Sequence, residues 1–221
     1  MLVPRNSGLF HSSRQKLLYL HIPKCGGSFI QDTFRPYAKW CPTIKWPEAK
    51  GHLTYQQYDP IFRARAERLH DYLLITVVRN PWAWHVSWYN YIRRDKGGRK
   101  SGLPIEHEKL KNFSFAEYLE WLDDDSAPRS PQGYLDMQLS DWIVDEFGRL
   151  QADIILRQES LYADVLNLVG KLKLKVRPIQ KSVNVSTPDD FRTYYTDDGI
   201  ERIAKRHQRD IQLFQYTFDN D

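Results

Sequence analysis

The stretch Leu17–Phe34 reads LLYLHIPKCGGSFIQDTF, and it decides the fold of this chain. It begins with a short apolar run, Leu17–Ile22, which is typical of a buried strand. Its last residues, Phe29–Phe34, favour a helix, and the loop Lys24–Ser28 lies between. Glycines let backbone N–H groups converge, and a helix N-terminus adds free N–H groups and the positive end of the helix dipole. With its lysine, the loop therefore predicts a phosphate or sulfate site.

The order of residues in this loop separates it from the phosphate loop of nucleotide triphosphatases. That loop reads GxxxxGK[ST], with lysine after the glycines. Here Lys24 precedes Gly26 and Gly27, and the loop is shorter. The sequence thus argues against an ATPase, and an ordinary strand-to-helix turn remains the alternative to an anion site.

Composition limits the classes of protein to which the chain can belong. Its 221 residues carry 32 basic and 28 acidic side chains, and a net charge of +4 is too small for a nucleic-acid coat. Cys25 and Cys41 suit neither a disulfide framework nor a zinc site. Met1–Arg14 lacks the apolar core of a secretory signal, and no run reaches the about 20 apolar residues of a membrane span. We expect a cytoplasmic protein without a membrane span, and the oligomeric state is left open.

A second apolar stretch, Tyr72–Val78, reads YLLITVV and predicts a strand covered on both faces in a parallel sheet. Asn80 and Pro81 follow closely. Asparagine is a good N-cap and proline a good first helical residue. They predict a helix from Trp82 to Arg94.

The rest of the chain alternates predicted helices with a further strand. We expect a helix at Ser114–Leu122, where Ser114 and Glu117 have capping-box spacing, and a strand at Ala152–Leu156. Further helices are predicted at Leu135–Phe147, Leu161–Val169 and Thr196–Phe214. This alternation indicates an α/β fold with a largely parallel sheet.

Two predicted strand ends carry anion-binding chemistry, and ligands of parallel sheets bind at the carboxyl ends of strands. The second end offers Arg79, a planar fork of donors, and Ser87 two turns into the next helix. A magnesium-nucleotide enzyme would place an acidic residue there to hold the metal. A structural ion pair of Arg79 with an acidic side chain is the alternative.

Together, HIPKCGGS (His21–Ser28) and TVVRNPWAWHVSWYNY (Thr76–Tyr91) resemble the two phosphate motifs of sulfotransferases that use 3′-phosphoadenosine-5′-phosphosulfate (PAPS). The chain is most similar to the carbohydrate, or heparan sulfate 2-O-sulfotransferase, type. The resemblance implies a single P-loop-like domain, 1–221, with a mostly parallel sheet flanked by helices. Residues 95–133, rich in basic and aromatic side chains, are expected to form an acceptor-side insertion. PAPS would be the donor, PAP the product and a hydroxylated acceptor, expected to be a carbohydrate, the partner, with no metal and no nucleic acid.

The resemblance also implies roles for individual residues. The 5′-phosphosulfate would be held by Lys24, Cys25, Gly26, Gly27 and Ser28, the 3′-phosphate by Arg79 and Ser87, and a closing loop would contribute Lys181 and Ser186. Our hypothesis is that His52 is the general base and that Lys24 also neutralises the leaving oxygen.

The sequence departs from the resemblance at three places. Cys25 replaces the usual threonine, and Lys50-Gly51-His52 replaces the His-Gly-His of the 2-O type. Trp84 stands where the motif containing Arg79 often has a second arginine. We expect His21 to pack beside the loop or to support the site residues from behind, and His207 to lie at the surface. A P-loop small-molecule kinase and a non-catalytic nucleotide-binding relative remain the alternative functions.

Overall fold

The computed structural model describes residues 11–12, 16–34, 46–49, 51–94, 103–179 and 190–219. The chain divides into two units, each built from two separate segments. The first unit comprises Met1–Arg79 and Leu139–Asn184, and the second comprises Asn80–Gln138 and Val185–Asp221.

The sheet lies in the first unit. Its strands within the described residues are β1 (His11–Ser12), β2 (Leu17–Leu20), β3 (Leu73–Val78) and β4 (Ile154–Arg157), in that spatial order. β1 is antiparallel to β2, whereas β2, β3 and β4 are mutually parallel. Leu20 lies opposite Thr76, and Val78 lies opposite Arg157. The carboxyl ends of the three parallel strands therefore meet at one edge of the sheet.

Helices connect and follow the strands. They are α1 (Gly27–Phe34), α2 (Tyr55–Arg63), α3 (Pro81–Arg93), α4 (Pro104–Leu110), α5 (Phe115–Asp123), α6 (Leu161–Lys171), α7 (Asp197–Arg206) and α8 (Gln208–Phe214). The predicted α/β class with a mostly parallel sheet is confirmed. In the part of the chain that the structure describes, no helix combines the length and apolarity needed to cross a bilayer.

Local capping rules explain where helices of the second unit begin. The Asn80 side-chain oxygen accepts hydrogen bonds from the backbone N–H groups of Trp82, at 3.0 Å, and Ala83, at 3.4 Å. Pro81 is the first residue of α3, as the sequence predicts. At α5, Ser114 and Glu117 form the predicted capping box.

A buried chain of hydrogen bonds joins α3, α5 and α8 of the second unit through His207, which lies between α7 and α8. The Tyr118 hydroxyl lies 2.9 Å from His85 Nδ1, and His85 Nε2 lies 2.8 Å from His207 Nε2. His207 Nδ1 donates to Asp210 Oδ2 at 2.9 Å. Burial lowers the pKa of His85 well below its usual value, and the neighbouring His207 and Arg206 lower it further. His85 is therefore neutral, and one proton lies between its Nε2 atom and that of His207. The expected surface position of His207 is wrong, because this histidine is fully buried.

Two expectations about helices are also wrong. The segment Leu135–Phe147 contains a 3₁₀ turn at Ser140–Trp142, and a bridge pairs Val144 with Leu150. The Asp145 carboxylate accepts the backbone N–H groups of residues 147 and 149, and these bonds stabilise a turn where a helix was expected. The predicted helix Thr196–Phe214 is α7 followed by α8, with the break at His207.

Candidate functional site

The loop between β2 and α1 has the backbone of an anion site. Lys24 has φ 64° and Gly26 has φ 78°, and both values lie in the left-handed region. For a residue with a side chain, this conformation costs about 1–2 kcal/mol. Such strain persists where surrounding structure holds it, and it concentrates at ligand sites. The loop leads directly into α1, whose first N–H groups have no partner within the helix.

A hydrogen bond joins this loop to the end of the neighbouring strand. Arg79, the residue after β3, donates from Nη1 to the Lys24 carbonyl oxygen at 3.2 Å. Earlier in β3, the buried Thr76 hydroxyl donates to the carbonyl oxygen of Leu20 in β2 at 2.9 Å. The two predicted phosphate-binding motifs therefore bring Lys24 and Arg79 together at one edge of the sheet. Both cationic side chains are only partly buried.

The two glycines of the loop are required by the space around them. A Cβ atom on Gly26 would lie 2.5 Å from Leu161 Cδ2, and one on Gly27 would lie 1.8 Å from His21 Nε2. Cys25 is fully buried. Ser28 is partly buried in the first turn of α1.

His52 lies beside the loop, within the same unit. Its Nδ1 atom is 3.4 Å from the His21 carbonyl oxygen, and its ring packs edge-on against Trp142. Burial lowers the pKa of His52 to about 4; the hydrogen bond to His21 opposes this shift and the positive charge of Lys24 adds to it. At neutral pH the imidazole is therefore uncharged. Because a carbonyl oxygen only accepts, the hydrogen-bonded tautomer carries its proton on Nδ1 and leaves the lone pair on Nε2.

The structure brings together only part of the predicted site. Lys24, Arg79 and His52 are neighbours in the first unit. Ser87 is buried in α3 of the second unit. Lys181 and Ser186 lie outside the described residues, as does Lys50. Among the described residues, no group of three or more His, Cys, Asp or Glu side chains has an arrangement that would hold a metal ion.

Sequence reasoning left one residue at this edge of the sheet without a definite role and missed another. His21, for which packing or a supporting role behind the site residues was expected, contacts both Gly27 and His52. Gln158, at the end of β4, places its Cγ atom 3.7 Å from the position of a Cβ on Gly26. The rule that ligands bind at the carboxyl ends of parallel strands also covers β4, and applying it there would have drawn attention to Gln158.

Comparisons with known proteins found a matching family and a similar fold. The family model described as "Sulfotransferase family" matches residues 7–217. The fold is similar to that of mouse sulfotransferase SULT7A1, solved in complex with PAP, with a TM-score of 0.52 and 12% sequence identity. The match covers 91% of this chain and 86% of that chain, and at this identity it is evidence for the fold alone. Among curated proteins, no sequence matches this one.

Proposed function

This chain belongs to the sulfotransferase family, and we propose that it transfers a sulfuryl group from PAPS to a hydroxyl of an acceptor, releasing PAP. The observation that carries the proposal is the hydrogen bond from Arg79 to the Lys24 carbonyl oxygen. It joins two cationic strand ends, and His52 lies beside them. The proposal combines donor binding and proton removal at one edge of the sheet.

The residues of this edge fit a donor that carries phosphate and sulfate groups. We assign the 5′-phosphosulfate to the Lys24 ammonium group and to the backbone of Cys25, Gly26, Gly27 and Ser28. The left-handed Lys24 and Gly26 and the N-terminus of α1 support this assignment. In the same proposal Arg79 and Ser87 hold the 3′-phosphate, and Lys181 and Ser186 close over the nucleotide.

The proposed chemistry needs a base and a cation, and no redox step. His52 Nε2 takes the proton of the acceptor hydroxyl while the hydroxyl oxygen forms a bond to sulfur. The bond between sulfur and the oxygen of the 5′-phosphate breaks, and that oxygen keeps the electron pair. Lys24 and the loop N–H groups stabilise the resulting negative charge. Positioning the two reactants supplies a further part of the rate enhancement.

The low pKa of His52 fits this role once the charge of a bound donor is included. Lys24 contributes to the lowering, and burial contributes more. Anionic groups held by Lys24 offset its positive charge and so raise the pKa of His52 towards the range in which a general base is effective. The base would then become stronger only when the donor is in place.

The acceptor class and the domain organisation are also part of this proposal. We assign a carbohydrate acceptor from the resemblance of Lys50-Gly51-His52 to the motif of the 2-O type. We treat 1–221 as one sulfotransferase domain with residues 95–133 on the acceptor side, because one family model spans segments of both units.

Thermal unfolding with added nucleotide tests the proposal. PAP at about 100 times its Kd should stabilise the protein by about 2.7 kcal/mol. We expect this stabilisation to be weakened in Lys24→Ala and retained in Lys175→Ala, a matched control because Lys175 is exposed in the same unit. Stabilisation by magnesium-ATP and not by PAP would refute the proposal and favour the kinase. Binding of PAP without sulfuryl transfer from PAPS to any of a panel of oligosaccharides would favour the non-catalytic relative.

A further inference from the structure

His21 contacts the candidate base and the start of α1 at the same time. Its carbonyl oxygen lies 3.4 Å from His52 Nδ1, and the two imidazole rings pack edge to face with their centroids 4.4 Å apart. Its ring also stacks on Tyr19, at 5.6 Å and 25° between the ring planes. On its other side, the ring fills the space in which a Cβ of Gly27 would lie.

We propose that His21 is the positioning residue for His52: its carbonyl oxygen fixes the tautomer of the base, and its ring fixes the base against the start of α1. This proposal rests on the proposed function, because it assigns a partner to the same base. The chain has only one histidine at 50–52, and the structure supplies a second imidazole from the loop that follows β2.

The carbonyl group and the ring of His21 do different things. Accepting from Nδ1 leaves Nε2 as the atom that can remove a proton, in the way that carbonyl partners orient histidines at metal sites. The His21 ring covers one face of the region around His52 and keeps water away from it. Apart from burial, Lys24 acts on the pKa of His52 through its charge and His21 through its backbone carbonyl oxygen, both from the loop after β2, whereas Trp142 packs from the 3₁₀ turn and does not titrate.

Gly27 ties this arrangement to the anion site. The three atoms nearest to the position that a methyl group on Gly27 would occupy all belong to the His21 ring, at 1.8–2.5 Å. Real Cβ atoms do not approach other atoms so closely, so a side chain at position 27 has to displace the ring. We therefore expect any residue larger than glycine at 27 to disturb His52, although it does not touch His52 itself.

Nuclear magnetic resonance of ¹⁵N-labelled histidines tests the proposal without knowledge of the acceptor. Long-range ¹H–¹⁵N spectra report which nitrogen is protonated and at what pH, and His52→Asn identifies the signals of His52. In the wild type we expect a neutral ring protonated on Nδ1. His21→Ala removes the ring and keeps the carbonyl oxygen, so we expect the ring of His52 to stay protonated on Nδ1 while its pKa rises by about one unit or more, because the covering ring is lost. His70→Ala is the matched control, since His70 is an exposed histidine of the same unit.

A double substitution keeps the test decisive if a single variant is unstable. Gly27→Ala should lower the Tm and shift the signals of His52. Adding His21→Ala should recover most of the lost Tm, because the clash is with the ring. Three results would overturn the proposal while leaving PAP binding intact: a wild-type His52 protonated on Nε2, a His52 pKa unchanged in His21→Ala, or additive effects of the two substitutions. Failure of the wild type to bind PAP would instead overturn the proposed function, and with it the catalytic meaning of the histidine pair.

Discussion

Acid should destabilise this protein through His52, and the size of the effect follows from the structure. In the unfolded chain His52 has its ordinary pKa of 6.5, whereas burial lowers it to about 4 in the folded protein. Between these two values the unfolded chain binds more protons, so the free energy of unfolding falls as the pH falls. Each unit of pKa difference corresponds to about 1.36 kcal/mol, so the protonation of His52 should lower the free energy of unfolding by about 3 kcal/mol in total. The contribution is fully present above pH 6.5 and lost as the pH approaches 4.

A comparison of two proteins isolates this contribution from that of other groups. We would measure urea unfolding of the wild type and His52→Asn between about pH 7.5 and pH 4.5. The asparagine amide can still donate to the His21 carbonyl oxygen, but it does not titrate. His85 is buried in both proteins, so its own acid sensitivity cancels in the difference. The wild type should lose more stability than the variant across this range. Parallel curves would refute the argument that folding buries a neutral His52.

Three further outcomes are expected from the same structure. Arg79→Lys should weaken PAP binding by about tenfold in calorimetry, because a point charge replaces the donor fork; unchanged affinity would remove Arg79 from the site. Cys25→Ala should leave PAP affinity nearly unchanged, because the thiol is fully buried and alanine can keep the same backbone conformation; a large loss would show that the side chain contributes. Asp210→Ala should lower the free energy of unfolding by about 3 kcal/mol or more in urea titrations, because it leaves His207 Nδ1 without its buried acceptor. A loss below about 1 kcal/mol would contradict the described network.

Sequence reasoning succeeded where short-range rules determine the structure. β2 and β3 are apolar runs buried nearly throughout, and their composition alone predicts this. The cap at Asn80 and the capping box at Ser114 depend on residues within three positions along the chain. The neighbouring positions of Lys24 and Arg79 follow from a general rule about parallel strands.

The remaining features depend on specific side-chain contacts, some of which join residues that are distant in sequence. The break between α7 and α8 occurs where His207 joins a buried network with His85. The turn at Asp145 is stabilised by bonds from its own backbone neighbours, and its carbonyl oxygen accepts from Gln56 of α2. The space above Gly27 is filled by His21, six residues earlier, only because the loop doubles back. None of these contacts follows from hydrophobic periodicity.

The interleaving of the two units affects how the protein can be made. During translation β1, β2 and β3 are synthesised first, and β4 is synthesised only after the whole segment Asn80–Gln138. Until then the side of β3 that pairs with β4 has no strand beside it, and such edges attract other chains. The second unit in turn waits for Val185–Asp221, which is translated after the segment Leu139–Asn184 of the first unit. Neither unit can therefore be excised as one continuous fragment, and stalled synthesis would leave an open sheet edge exposed to aggregation.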